Sequence, residues 1–133
     1  MHPFLQDERL RKAERLLKRA EFQRAQRRGA RRAGEWFVVY AAANDLGYSR
    51  LGMTTSRKVG KAVRRNRWRR LIREAFRKNK RALPVGFDFV VIVKPQQVPT
   101  VLSDVAAQLL DVVWRAVESG ARRGGSRGVS KQV

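Results

Sequence analysis

Hydrophobic positions recur with two different periods along this chain, and each change of period marks an element. Leu16, Leu17, Ala20 and Ala25 follow helical spacing, which predicts a helix over about 13–28 that Gly29 ends. Residues 1–8 show no such pattern and are expected to form a loose N-terminal arm. From Trp36 to Tyr40 the residues are aromatic or β-branched, the composition of a strand. Alternation puts Trp36, Val38 and Tyr40 on one face and Phe37, Val39 and Ala41 on the other. Asn44, Asp45, Leu46 and Gly47 supply turn chemistry. A second strand is predicted over 50–56, where Leu51, Met53 and Thr55 alternate with Gly52, Thr54 and Ser56.

The second half of the chain carries the stronger helical signals. Trp68, Leu71, Ile72, Ala75 and Phe76 fall at the spacing of one buried stripe, which predicts a long helix over about 61–80. Arg65, Asn66, Arg69, Arg70, Arg73 and Arg77 lie largely off that stripe, and Glu74 is expected to pair with Arg70 or Lys78 one turn away. Pro84 and Gly86 close the segment, and residues 87–93 are apolar enough for a strand covered on both faces. Pro95 and Pro99 bracket a loop, followed by a second amphipathic helix over 101–117. Residues 119–133 are rich in Gly, Ser and Arg and are expected to be a flexible basic tail. Residues 1–118 therefore read as a single domain. Helix, two or three strands, helix, strand, helix is an α+β order, with helices packed on a small sheet.

Charge gives this fold a partner. From Ser56 to Glu74 the chain reads SRKVGKAVRRNRWRRLIRE, nine positive charges with no acid before the last residue. A solvated helix face usually mixes acids and bases at helical spacing. Here the like charges repel in the free protein, and a polyanion is the simplest reason to keep them together. The whole chain has 31 Lys and Arg against 11 Asp and Glu, a formal charge of +20 on 133 residues. Arg dominates, which favours bidentate phosphate contacts and stacking on bases. A hydrophobic fraction of 43% excludes a disordered basic tail as the whole story.

Several classes are excluded by what the chain lacks. Without cysteine there is neither a disulfide nor a Cys-ligated metal site. No apolar run approaches the ~20 residues of a membrane helix, and the N-terminus MHPFLQDERLRK is not a secretory signal. A cytoplasmic nucleic-acid-binding domain follows as the class. No catalytic constellation is legible: the only histidine is His2, and no pair of acids has the spacing of a two-metal site. Ser56 and Lys58 are better read as phosphate contacts than as a nucleophile pair. Gly52 and Gly60 make no phosphate-cradling loop of known spacing; Gly60 more plausibly lets the chain turn from strand into helix. Tyr40 is balanced between a core residue and a stacking platform for an unpaired base, whereas Phe22 reads as core.

The segment 56–74 closely resembles the signature of the bacterial ribonuclease P protein subunit, in which a Lys-x-x-Gly-x-Ala-Val-x-Arg-Asn-Arg core leads into a basic helix. Here that core is Lys58, Gly60, Ala62, Val63, Arg65, Asn66 and Arg67. The similarity extends to LLKRAEFQRAQRRG at 16–29, FVVYA at 37–41, RLGMTTS at 50–56 and GFDFVVIVKP at 86–95, covering roughly 15–118 in order.

The resemblance implies an α-β-β-β-α-β-α chain with an extra short strand near 30–34 and a left-handed β-α-β crossover around the basic helix. General topology would favour the right hand. It implies a subunit that binds the catalytic RNA of ribonuclease P and the 5′ leader of precursor tRNA, with no obligate protein partner and no membrane. The RNA, using Mg²⁺ that it mainly holds itself, removes the leader; the protein raises substrate affinity and helps metal binding, with no catalytic residue and no metal site assigned to its own side chains. Carried over by position, Arg65, Asn66, Arg67, Arg69, Arg70 and Arg73 face the RNA subunit. Phe22, Tyr40, Ser56, Arg57, Lys58 and Lys61 line the leader cleft. Gln26 stands where some family members carry a second aromatic. The alternatives are a basic ribosomal or structural RNA-binding protein without a ribozyme partner and, third, a double-stranded DNA binder using the basic helix.

Overall fold

A computed structural model describes residues 9–124, so the arm expected at 1–8 and the tail residues 125–133 lie outside the described residues. Three helices, α1 (Arg19–Arg28), α2 (Ala62–Lys78) and α3 (Leu102–Gly124), accompany four strands, β1 (Ala30–Ala33), β2 (Phe37–Ala43), β3 (Arg50–Thr54) and β4 (Phe87–Val93). The strands form one mixed sheet in the order β1-β2-β4-β3. β1 and β4 run antiparallel to β2, whereas β3 runs parallel to β4. Parallel neighbours need a long crossover, and α2 supplies it.

Two cores result, one on each side of the sheet. Phe37, Val39, Phe89, Val91 and Val93 point to the side where α2 and α3 pack, meeting Trp68, Ile72, Val105, Leu109 and Val112, all essentially inaccessible. The stripe read from the sequence on α2 is the set it buries: Trp68, Leu71, Ile72, Ala75 and Phe76. On the opposite side a smaller cluster of Leu16, Ala25, Ala42 and Val90 seats α1, with Phe22, Tyr40 and Ile92 packed against it.

The N-terminal helix departs from expectation. Lys12–Glu14 is a single 3₁₀ turn, residues 15–18 are extended, and α1 begins only at Arg19. Arg15 bridges Leu51 in parallel, and the Leu16 N–H donates to the Leu51 carbonyl at 2.9 Å, so this stretch borders β3. Leu16 is buried and Leu17 exposed, the alternation of an extended segment. Pairing with β3 satisfies the backbone there and overrides helix propensity. Glu21 then restarts the helix, its Oε1 accepting from the Leu17 and Lys18 N–H groups at 3.2 Å each.

Other boundaries move less. β2 begins one residue later than the predicted strand, at Phe37, and continues to Ala43; β3 stops at Thr54 because Ser56 already caps a 3₁₀ turn at Arg57–Val59. α3 runs to Gly124, seven residues past the helix end expected at 117. Glu74 pairs with Arg77, three residues on, at 2.6 Å, and not with Arg70 or Lys78. That contact holds its carboxyl below the usual glutamate range against the opposing effect of burial. The short strand near 30–34 is present as β1.

Lys80 is the one lysine buried among the described residues, and its ammonium meets Glu14 at 2.9 Å with both side chains under 5% exposed. It also donates to the Arg9 carbonyl, tying the N-terminal strap to the exit of α2. Removing one partner of such a pair strands the other charge, at a cost of roughly 3–5 kcal/mol. Lys80→Ala is therefore expected to destabilise the domain by about that much, and Trp68→Ala by a similar roughly 3–5 kcal/mol through lost core volume. Arg77→Ala, which breaks a half-exposed pair, should cost under about 1 kcal/mol. Denaturant unfolding of the three variants checks the order.

Candidate nucleic-acid interface

Because β3 and β4 are parallel, their C-terminal ends lie at the same edge of the sheet, and α2 must start there. The register defines what surrounds that edge. On the α1 side, Ala42, Asp88 and Arg50 form one row; Arg31, Tyr40, Val90 and Gly52 form the next; Ala33, Val38, Ile92 and Thr54 the last. α1 covers the first row. Arg50 donates from Nε and Nη2 to Asp88 at 2.8 Å each and from Nη1 to Glu21 at 3.1 Å, fastening β3, β4 and α1 together. The Asp88 hydrogen bond holds the guanidinium above its ordinary pKa, with burial opposing. Burial acts to raise Glu21, but hydrogen bonds from Lys18, Leu17 and Arg50 outweigh it and hold the carboxyl below its usual range.

That fastening sets Phe22 over the middle row. A Cβ on Gly52 would sit 2.7 Å from two carbons of the Phe22 ring, so the ring lies directly on the glycine backbone. Gly52 is needed for this approach. Tyr40 lies on the same face and row, two strands away, half-buried. Tyr40 packs against the small cluster while remaining partly exposed. Beyond α1, Val38 and Ile92 are half-buried and Thr54 exposed, so this face of the sheet is open beside the helix, a shallow groove with α1 as its wall.

The groove opens toward the basic segment. Ser56 Oγ accepts from the Lys58 N–H at 3.3 Å and Val59 is fully buried, which pins Arg57 and Lys58 outward at the end of β3. Gly60 then takes φ +148, a value L side chains rarely adopt, as the chain swings from this turn into α2. Lys61 is the residue before the first turn of α2 and lines a shallow basin with Gly60, Val63, Arg64, Arg67 and Pro99. Along α2, Asn66, Arg67 and Arg70 are exposed, while Arg65, Arg69 and Arg73 are partly covered. Among the described residues no salt bridge involves a cation between Arg57 and Arg73, and Arg65 Nε has no partner.

Sequence reasoning missed Arg31. It is exposed and pairs in register with Tyr40, which puts it on the groove face at the β1 edge. Only the strand register could have shown this, and β1 is too short and too polar to be read locally.

No group of three or more His, Cys, Asp or Glu among the described residues could hold a metal ion. The carboxylates of Glu14, Glu21, Glu74, Asp88 and Asp111 already face Arg or Lys, so these residues do not fit a Mg²⁺ site of the protein's own. No helix among them is long and apolar enough to cross a membrane.

An unneutralised basic helix beside a sheet groove with aromatic and aliphatic lining defines a nucleic-acid-binding α+β protein. Comparison with known proteins makes this specific. The Ribonuclease P family profile matches residues 10–117. The ribonuclease P protein component of Syntrophus aciditrophicus is 40% identical over 100 residues, covering 75% of this chain and 84% of that one. That of Thermotoga maritima is 49% identical over 79 residues, covering 59% and 68%. The solved RNase P protein from Thermotoga maritima superposes with a TM-score of 0.70 at 40% identity, covering 77% and 96%. The Staphylococcus aureus RNase P protein does so with 0.70 at 35%, covering 79% and 96%. The chain belongs to the ribonuclease P protein family. It is a protein subunit of that tRNA-processing ribonucleoprotein, and its partner is the RNA subunit.

The two faces of α2 make separable predictions. Changing Arg67, Arg69 and Arg70 together to Ala empties no core volume, so the melting curve should be unaltered while affinity for ribonuclease P RNA falls and its salt slope flattens. Each lost phosphate contact removes about 0.7–0.9 from the log–log slope. Filter binding across a salt series measures both; a triple variant that unfolds, or that assembles normally, contradicts the division.

Proposed function

We propose that this subunit holds the 5′ leader of precursor tRNA in the sheet groove while α2 docks on the RNA subunit, and that the RNA, with Mg²⁺, carries out the cleavage. The observation that carries the reading is the junction at the end of β3. Phe22 and Tyr40 lie on one face of the sheet and α2 packs on the other, and the turn of Ser56, Arg57 and Lys58 at the end of β3 joins the two, leading directly into the cations of α2. A single strand in the groove stacks a base on Tyr40 or the Phe22 ring edge, and its phosphates meet Arg57, Lys58 and Arg31. Gln26, exposed one turn after Phe22, offers an amide in place of an aromatic ring. Arg65, Asn66, Arg67, Arg69, Arg70 and Arg73 meet the RNA subunit, with Lys61 between the two surfaces.

Charge gives the subunit its effect on the reaction. Two RNAs repel, and a cationic wedge of this density lowers that repulsion most where divalent ions are scarce. Mixing the protein with ribonuclease P RNA and precursor tRNA at limiting Mg²⁺ should restore 5′ maturation that the RNA alone performs poorly. The protein without RNA should cleave nothing. Cleavage by the RNA-free protein, or no stimulation of the RNA, overturns the proposal and favours a structural RNA-binding role.

Leader and assembly should separate by residue. A base stacked on an aromatic ring contributes roughly 1–3 kcal/mol. Tyr40→Ala in the holoenzyme is expected to weaken binding of a long-leader precursor by about that amount, with mature tRNA affinity unchanged and assembly intact. Equal losses for precursor and mature tRNA would return Tyr40 to a purely packing role.

A further inference from the structure

Val63 is 82% exposed in the middle of the most basic segment of the chain. Pro99 stands across from it, and Lys61, Arg64 and Arg67 complete the rim of a shallow basin whose floor is apolar. Val98 and Val101, on either side of Pro99, are themselves 63% and 56% exposed. Scattered surface apolars need no explanation, but an apolar-floored basin rimmed by three cations is the kind of feature that marks a binding surface.

The basin is built and not incidental. Arg64 folds back over Gly60, where a Cβ would lie 2.8 Å from Arg64 Cδ, and its Nη1 donates to the Val59 carbonyl at 3.2 Å. That bond holds the guanidinium at the edge of the basin. Pro99 is held from the other side: the Gln97 carbonyl accepts from the buried Trp68 Nε1 at 2.9 Å, and the Gln96 N–H donates to the Lys58 carbonyl at 2.8 Å. Val63 and Arg67, four residues apart, share one flank of α2.

We propose that this basin receives one unpaired nucleobase of the RNA subunit. An apolar floor and a guanidinium plane suit the faces of a base, which stack without regard to sequence. The rim of Lys61, Arg64 and Arg67 suits the flanking phosphates. An apolar protein segment would meet three cations with nothing to neutralise them, so charge complementarity selects RNA. The inference rests on the reading of α2 as the face toward the RNA subunit, and adds a non-electrostatic contact to it.

The test uses Val63→Ala in the full chain. Alanine favours a helix and removes no buried volume, so the fold should be unaffected. Affinity for ribonuclease P RNA is expected to fall about tenfold with the log–log salt slope unchanged, because no phosphate contact is lost. Arg67→Gln serves as the contrast, lowering the slope by about 0.7–0.9. RNA subunits carrying a single abasic site at successive unpaired positions should then reveal one position where the wild-type protein loses about tenfold and Val63→Ala loses nothing further. A Val63→Ala affinity within twofold of wild type, a changed slope, or abasic losses identical in the two proteins would overturn the base site. If the wild-type protein fails to bind the RNA at all, it is the assignment of α2 to the RNA subunit that fails.

Discussion

The placement of the whole basic helix α2 depends on Trp68. It sits in the middle of a run of cations, yet its ring is fully buried, edge-on to Phe37 at 6.4 Å and tilted against Trp36 at 6.3 Å. A helix with Arg67, Arg69, Arg70 and Arg73 around it would not stay on a sheet by electrostatics, since those charges repel one another. The apolar stripe through Trp68, Ile72 and Phe76 supplies the opposing force. The indole N–H adds a second attachment by donating to Gln97 and so fixes the loop between β4 and α3.

With a charge of +20, the placement of the few acids decides the shape of the field. Glu14 is buried against Lys80; Glu21 and Asp88 share Arg50; Glu74 and Asp111 pair with Arg77 and Arg115 on their own helices. Each of these pairs holds one element to another or reinforces a helix. None falls in the segment from Arg57 to Arg73. The cations needed for architecture are thus neutralised internally, and those at the end of the sheet remain available. The positive field follows from where acids are missing as much as from where bases are present.

How much of this was legible in the sequence varied with the range of the interaction that decides each feature. The stripe on α2, the covered strand at 87–93 and the turn at Gly60 depend on local periodicity or backbone freedom, and each was readable. The N-terminal helix was misplaced because Leu16 answers to Leu51 on β3, a partner no local window contains. Glu74 chose Arg77 over the i+4 partner, a choice between rotamers that spacing does not settle. β1 carries only Ala and Arg, so it has no hydrophobic alternation to detect; its pairing with β2 creates it. Arg31 was invisible for the same reason.

The loop at residues 94–100 links the two surfaces. Its start is held by the Lys94 N–H donating to Trp36, its middle by Gln96 donating to Lys58 and by Gln97 accepting from Trp68. Lys58 belongs to the groove end and Trp68 to the docking helix, so one short loop fixes the distance between them. Gln96 takes φ +61 to make both contacts, a conformation a non-glycine residue adopts only when its surroundings hold it there. A loop so constrained transmits position: in the proposed arrangement, seating α2 on the RNA subunit places the turn carrying Arg57 and Lys58 with it. On that proposal the groove is presented at a fixed offset from the docked helix, as holding a second RNA against the first requires.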